Sequence, residues 1–142
     1  MTFIKNRQFF LFFRMEGAIK HVDVLIVGAG PSGLMIAVQL LRYGIQPIII
    51  DHKSGPEKKT KAFKLNARSL EVFRQLGLAD KLVEAGTTCY GAQIKSQSAA
   101  LAGIDFAQID VPHTPFPFIL GIGQDKVEKQ LIDRLTETAC PV

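Results

Sequence analysis

The sequence predicts an α/β fold, with a parallel strand–helix–strand unit leading into a small antiparallel segment. Three observations predict it. Between Val22 and Asp51 two short apolar runs flank a helix-length stretch, and glycines at GxGxxG spacing open that stretch. From Thr87 the texture changes to short runs with partial period-two alternation. Finally, Gln124–Ala139 carries Val127, Leu131, Ile132 and Leu135 on one helical face.

Residues 1–20 stand outside this plan. The apolar run at 9–13 is FFLFF, which is too short for a secretory core or a membrane span. Arg7 and Arg14 flank it, and Met15 is a second candidate start. A disordered extension is the expectation for this stretch.

Val22–Val27 is apolar and β-branched, the composition of a strand buried on both faces. Gly28, Gly30 and Gly33 follow, then a mostly apolar helix from Leu34 to Tyr43 that Gly44 is placed to end. Gln46–Ile50 is a second buried strand, with Asp51 at its end. Gly28 permits the tight turn out of the first strand. Gly30, without a Cβ, lets a pyrophosphate approach the backbone, and Gly33 lets the helix pack closely on the strand. The helix start turns its unpaired N–H groups and the positive end of its dipole toward the phosphates. Asp51 stands where a carboxylate accepts hydrogen bonds from a ribose diol. Any glycine-rich loop can match GxGxxG, and an acid at a strand end can be only a solvated turn residue. The strand before the glycines, the helix after them and the acid beyond give the motif its Rossmann-like, dinucleotide-binding meaning. The same glycines and helix break Val24–Leu41, so no membrane span is expected there.

A polar, basic loop follows, with Gly55-Pro56 as a turn signal. Asn66 can cap a helix whose apolar residues Leu70, Phe73 and Leu76 recur at helical spacing, with Gly77 as its stop. A shorter helix, Ala79–Ala85, ends at Gly86. Cys89–Lys95 and Ile104–Val111 read as antiparallel strands separated by small residues at Ser98–Gly103. Pro112, Pro115 and Pro117 mark a loop or edge strand, and Phe116–Ile122 is apolar enough for a third strand.

A length of 142 residues sets one domain as the prior, yet a complete dinucleotide-binding sheet needs five or six parallel strands and only two are legible. The unit therefore reads as truncated, and association through exposed apolar surface is expected. The net charge of +4 comes largely from Lys53, Lys58, Lys59, Lys61, Lys64 and Arg68, a run that reads as a solvated loop and gives no sign of nucleic acid. Cys89 and Cys140 are far apart, as befits indifferent thiols in a reducing cytoplasm. His21, His52 and His113 are scattered, so no metal site is readable.

The order of GAGPSG, an acidic strand end, KAFKLNARSLEVFRQLGLAD, a small antiparallel segment and GQDKVEKQLIDRL is informative as a whole. It resembles the N-terminal third of flavin-dependent aromatic hydroxylases of the phenol hydroxylase and para-hydroxybenzoate hydroxylase type. The resemblance covers Val22 to about Thr138. It implies FAD as cofactor, with Gly28, Gly30, Pro31, Ser32 and Gly33 at the pyrophosphate and Asp51 at the adenosine ribose. It also implies Lys61 near the FAD phosphates, where arginine is usual and lysine lacks the planar fork. Arg68 and Gln124 are further cofactor candidates, although Arg68 reads equally as an exposed helix residue and Gln124 as a plain helix start. By the same resemblance, NAD(P)H is a transient reductant, O2 and a small aromatic molecule are substrates, and the division runs 21–86 for FAD binding, 87–122 for the start of a substrate-domain segment and 123–142 for a returning helix. The family's GD-containing segment is absent. No residue here is assigned as catalytic, and the isolated chain is expected to be inactive as an oxygenase. Two other classes stay open: a silent module with residual dinucleotide binding, and a fragment of an NAD-dependent dehydrogenase, which would not explain NARSLEVFRQLGL.

Overall fold

The computed structural model describes residues 11–15, 18–52, 64–96, 99–106 and 114–138. By their contacts they fall into two compact units, one drawn from 1–58 and 127–142, the other from 59–126.

The first unit holds the parallel core. Strand β3 (Leu25–Val27) pairs in parallel with β4 (Ile48–Ile50), in the register Leu25↔Ile48, Ile26↔Ile49 and Val27↔Ile50. Helix α1 (Pro31–Arg42) connects them. The expected strand–helix–strand unit is therefore present, with strands of three residues each. Ile26, Ile49, Leu34, Ala37 and Val38 are buried, which places the apolar stripe of α1 and the central residue of each strand in the core. Gly44 follows α1 with φ +72°, the left-handed conformation of a helix stop.

Ahead of this unit, β1 (Leu11–Met15) and β2 (Ala18–Val22) form an antiparallel pair with Leu11 opposite Val22 and Met15 opposite Ala18. The expectation of a disordered extension over 1–20 does not hold for these residues. Backbone ladder bonds order the segment without a long apolar run. They also claim Val22, so the buried strand starts at Leu25 and not at Val22. Helix α4 (Gln124–Glu137) contributes buried Val127, Leu131 and Leu135 to the first unit, together with a fully buried Glu128.

The second unit is built on a three-stranded antiparallel sheet. Its centre is β9 (Ile119–Gly121), flanked by β5 (Lys64–Leu65) and β6 (Thr87–Cys89). Leu120 lies opposite Leu65 on one side and Thr88 on the other, and it is fully buried. Helix α2 (Ala67–Gln75) starts at Asn66, whose side chain accepts a hydrogen bond from the Ser69 N–H at 2.9 Å. It buries Leu70 and Phe73, and α3 (Ala79–Ala85) adds Ala79 and Leu82. The Lys126 ammonium donates to the Ala85 carbonyl at 3.0 Å, capping the end of α3. The edge-to-face pairs Tyr90–Phe118 and Phe116–Phe118, with centroids 5.6 and 6.1 Å apart, pin the segment leading into β9.

A second hairpin joins β7 (Gly91–Ser96) to β8 (Ala99–Asp105), with a register shift between Ile94 and Lys95. This corrects one expectation. Within the stretch Ser98–Gly103, read as a small-residue break, Ala99 to Gly103 belong to β8, because ladder bonds need only backbone. Of the strand expected over Ile104–Val111, Ile104 and Asp105 end β8, while 107–113 lie outside the described residues. Among the described residues no helix is long and apolar enough to cross a membrane.

Candidate functional site

The ladder between β3 and β4 runs one rung past the strands. The Gly28 N–H donates to the Ile50 carbonyl at 2.7 Å. At that point the chain leaves the sheet with φ +107° at Gly28, a conformation that L side chains rarely adopt. The next amide, Ala29, faces no backbone carbonyl of β4. It donates instead to Asp51 Oδ2 at 2.6 Å. Asp51 is thus placed by being the first residue after β4, and its side chain is only 8% exposed. Asp51 Oδ1 lies 3.2 Å from Nδ1 of His52, a side chain 92% exposed.

Gly30 is the N-cap of α1 in extended conformation, and Pro31 takes the first helical position. No side chain caps this helix start, and its first turn carries no acid. The first intrahelical bond runs from the Leu34 N–H to the Gly30 carbonyl at 3.0 Å. The amides of Ser32 and Gly33 therefore lie at an end with no side-chain acceptor, where the helix dipole is positive.

The three glycines have separate duties. A Cβ on Gly33 would collide with the Gly28 carbonyl oxygen and crowd Ile26 Cγ2 at 3.3 Å, so Gly33 is required for close packing of α1 on β3. A Cβ on Gly30 would meet no heavy atom within 4 Å, so the space beside it is open. An open backbone, an uncapped helix start and no acid in the first turn suit a phosphate-bearing group. These residues fit the pyrophosphate of a dinucleotide.

The structure brings Gly28, Gly30, Pro31, Ser32, Gly33 and Asp51 together in the first unit. Lys61 lies outside the described residues. Arg68 and Gln124 belong to the second unit. Arg68 stands near the start of α2, where Nη1 donates to Glu71 Oε2 at 3.0 Å with the arginine side chain 76% exposed. This bond first, and one from Thr114 second, hold the Glu71 carboxyl below its ordinary range. Gln124 is the first residue of α4 and half-buried. The sequence-based reading missed the Ala29 amide as the partner of Asp51, and no sequence signal gave it, because the bond depends on the register of β3 and β4.

Residues 21–142 match the family described as FAD binding domain. Over 125 residues the chain is 32% identical to the rifampicin monooxygenase of Rhodococcus hoagii, covering 84% of this chain and 24% of that protein. It is 33% identical over 123 residues to the pentachlorophenol 4-monooxygenase of Sphingobium chlorophenolicum, covering 86% and 22% respectively. Among solved structures it is similar to the flavin-dependent monooxygenase PieE in complex with FAD and substrate. The TM-score there is 0.68 at 26% identity, over 82% of this chain and 22% of that one. The chain spans about a quarter of the length of these relatives.

Proposed function

The chain belongs to the FAD binding domain family, and from that premise we propose that it is the FAD-binding portion of an NAD(P)H-dependent monooxygenase that hydroxylates an aromatic, phenol-like compound. The observation that carries the proposal is the turn at 28–33. It pairs an uncapped helix start with open space beside Gly30, on a parallel strand pair ending at Asp51. The names of the similar proteins support the oxygenase part of the reading, since both curated relatives are named monooxygenases and one of them acts on pentachlorophenol by name.

When bound, FAD supplies the redox chemistry that puts one atom of O2 into the ring. The residues of this chain bind and orient. The amides of Ser32 and Gly33 and the open backbone at Gly30 would hold the pyrophosphate, with Pro31 fixing the helix start. Asp51 would accept from the adenosine ribose. Lys61, Arg68 and Gln124 enter as further cofactor contacts on the strength of the resemblance alone. A reducing, cytoplasmic setting is part of the same proposal.

The test is a titration of the purified chain with FAD, followed by flavin fluorescence. Saturable binding at one FAD per chain, displaced by ADP and not by nicotinamide mononucleotide, is the expected result. Binding of NAD in preference to FAD would overturn the proposal in favour of a dehydrogenase fragment. Replacing Asp51 with alanine is expected to weaken FAD binding by about 1–3 kcal/mol, the cost of unpaired polar partners. An unchanged dissociation constant would remove Asp51 from the site.

A further inference from the structure

We propose that Asp51 is a positioning residue for the phosphate-binding turn: its Oδ2 holds the Ala29 amide and so presets the backbone that receives the pyrophosphate, before any ribose is present. The inference rests on the FAD-site reading above and adds a second duty to one carboxylate.

The argument starts from the ladder. Along one edge of a strand only alternate residues bond to the neighbour, and Gly28, just past β3, is the last to do so, donating to the Ile50 carbonyl at 2.7 Å. Ala29 has the opposite parity and no rung of its own with β4, so its amide needs another acceptor. The Asp51 side chain supplies one, at 2.6 Å. This distance is short even for a bond to an ionised acceptor. Two adjacent residues of the first strand's exit, Gly28 and Ala29, are thus tied to two adjacent residues at the end of β4, Ile50 and Asp51. Immediately beyond lies Gly30, the N-cap of α1, where the open space begins. The orientation of the Ser32 and Gly33 amides therefore depends on where Ala29 is held.

Oδ2 accepts from the Ala29 amide, and Oδ1 lies 3.2 Å from Nδ1 of the exposed His52.

Charge makes the two duties separable. A carboxylate beside an anion site repels the anion, so a residue serving only the ribose should hinder a ligand that has phosphates and no ribose. Removing it should then leave binding of inorganic pyrophosphate unchanged or improve it. A turn anchor predicts the opposite, because loss of the Ala29 bond disorders the site.

The experiment uses the ligand-free chain and inorganic pyrophosphate, read by amide NMR. In the wild-type chain the Ala29 amide is expected to exchange slowly. In Asp51→Ala its exchange is expected to rise about tenfold or more, while Gly28, held by Ile50, keeps its protection. Pyrophosphate-induced shifts of Ser32 and Gly33 should need a several-fold higher concentration in Asp51→Ala. Asp51→Asn, which keeps an acceptor without the charge, should restore both. An Ala29 amide that exchanges in the wild type as fast as an unbonded one would overturn the proposal without recourse to any variant. So would pyrophosphate binding that is unchanged or tighter in Asp51→Ala. If the wild-type chain binds neither pyrophosphate nor FAD, the FAD-site reading fails, and the anchoring role is still decided by the Ala29 exchange.

Discussion

Two helices of this chain begin in opposite ways. At α2, Asn66 turns its side chain onto the Ser69 amide at 2.9 Å, and the helix start is satisfied from within. At α1 the N-cap is Gly30, which has no side chain to offer, and no acid stands in the first turn. A helix leaves several amides unpaired at its start, and something must meet them. Where the chain supplies the acceptor, as at α2, the end is architecture. Where the chain withholds it and keeps the neighbouring space open, the end is suited to an anion from outside. The difference lies in one residue at each N-cap.

The most severe way to break the contrast is Gly33→Ala. Its Cβ would enter the Gly28 carbonyl oxygen, which is backbone and has little room to yield. Overpacking of this kind is expected to cost roughly 2–3 kcal/mol of stability, read by urea unfolding. A loss below about 0.5 kcal/mol would show that α1 does not rest on the turn as described.

Gly30→Ala sharpens the comparison, since it leaves stability alone and touches only the open side. No atom lies within 4 Å of the added methyl. Stability should stay within about 0.5 kcal/mol, while FAD affinity falls about tenfold, or about 1.4 kcal/mol. Equal FAD affinity in the two chains would place the ligand elsewhere.

Asn66→Ala should do the reverse. It removes the cap on α2 at a cost of about 1 kcal/mol of stability and leaves FAD affinity unchanged, whereas Asn66→Asp should be close to neutral. A fall in FAD affinity without a fall in stability would mean that Asn66 itself meets the ligand.

The smallest effect concerns Glu71, whose carboxyl is held below its ordinary range, first by Arg68 and then by Thr114. A lowered value in the folded state contributes stability above the ordinary glutamate range, and that contribution is lost as pH falls through the lowered value. Glu71→Gln lacks it, so the stabilities of the two chains should converge in acid and separate toward neutral pH. A difference that stays constant across that range would remove the Arg68–Glu71 bond from the account.

The amino-acid sequence alone determined the strand–helix–strand unit, the glycine turn and the two helix stops at Gly44 and Gly77. These depend on local rules: GxGxxG spacing, apolar runs and positions that only glycine fills without strain. Asn66 was readable as a cap for the same reason. Tertiary structure decided what depends on distant partners. Lys64 and Leu65 become a strand only because Gly121 and Leu120 lie opposite them, and Ala99 to Gly103 become one only through pairing with β7. Leu11–Met15 likewise takes its form from Ala18–Val22. The clearest case is Asp51. Its place at the end of a strand could be read from the chain, but its bond to the Ala29 amide could not. That bond requires the parallel register of β3 and β4, which brings residues 22 positions apart in the chain within hydrogen-bond reach.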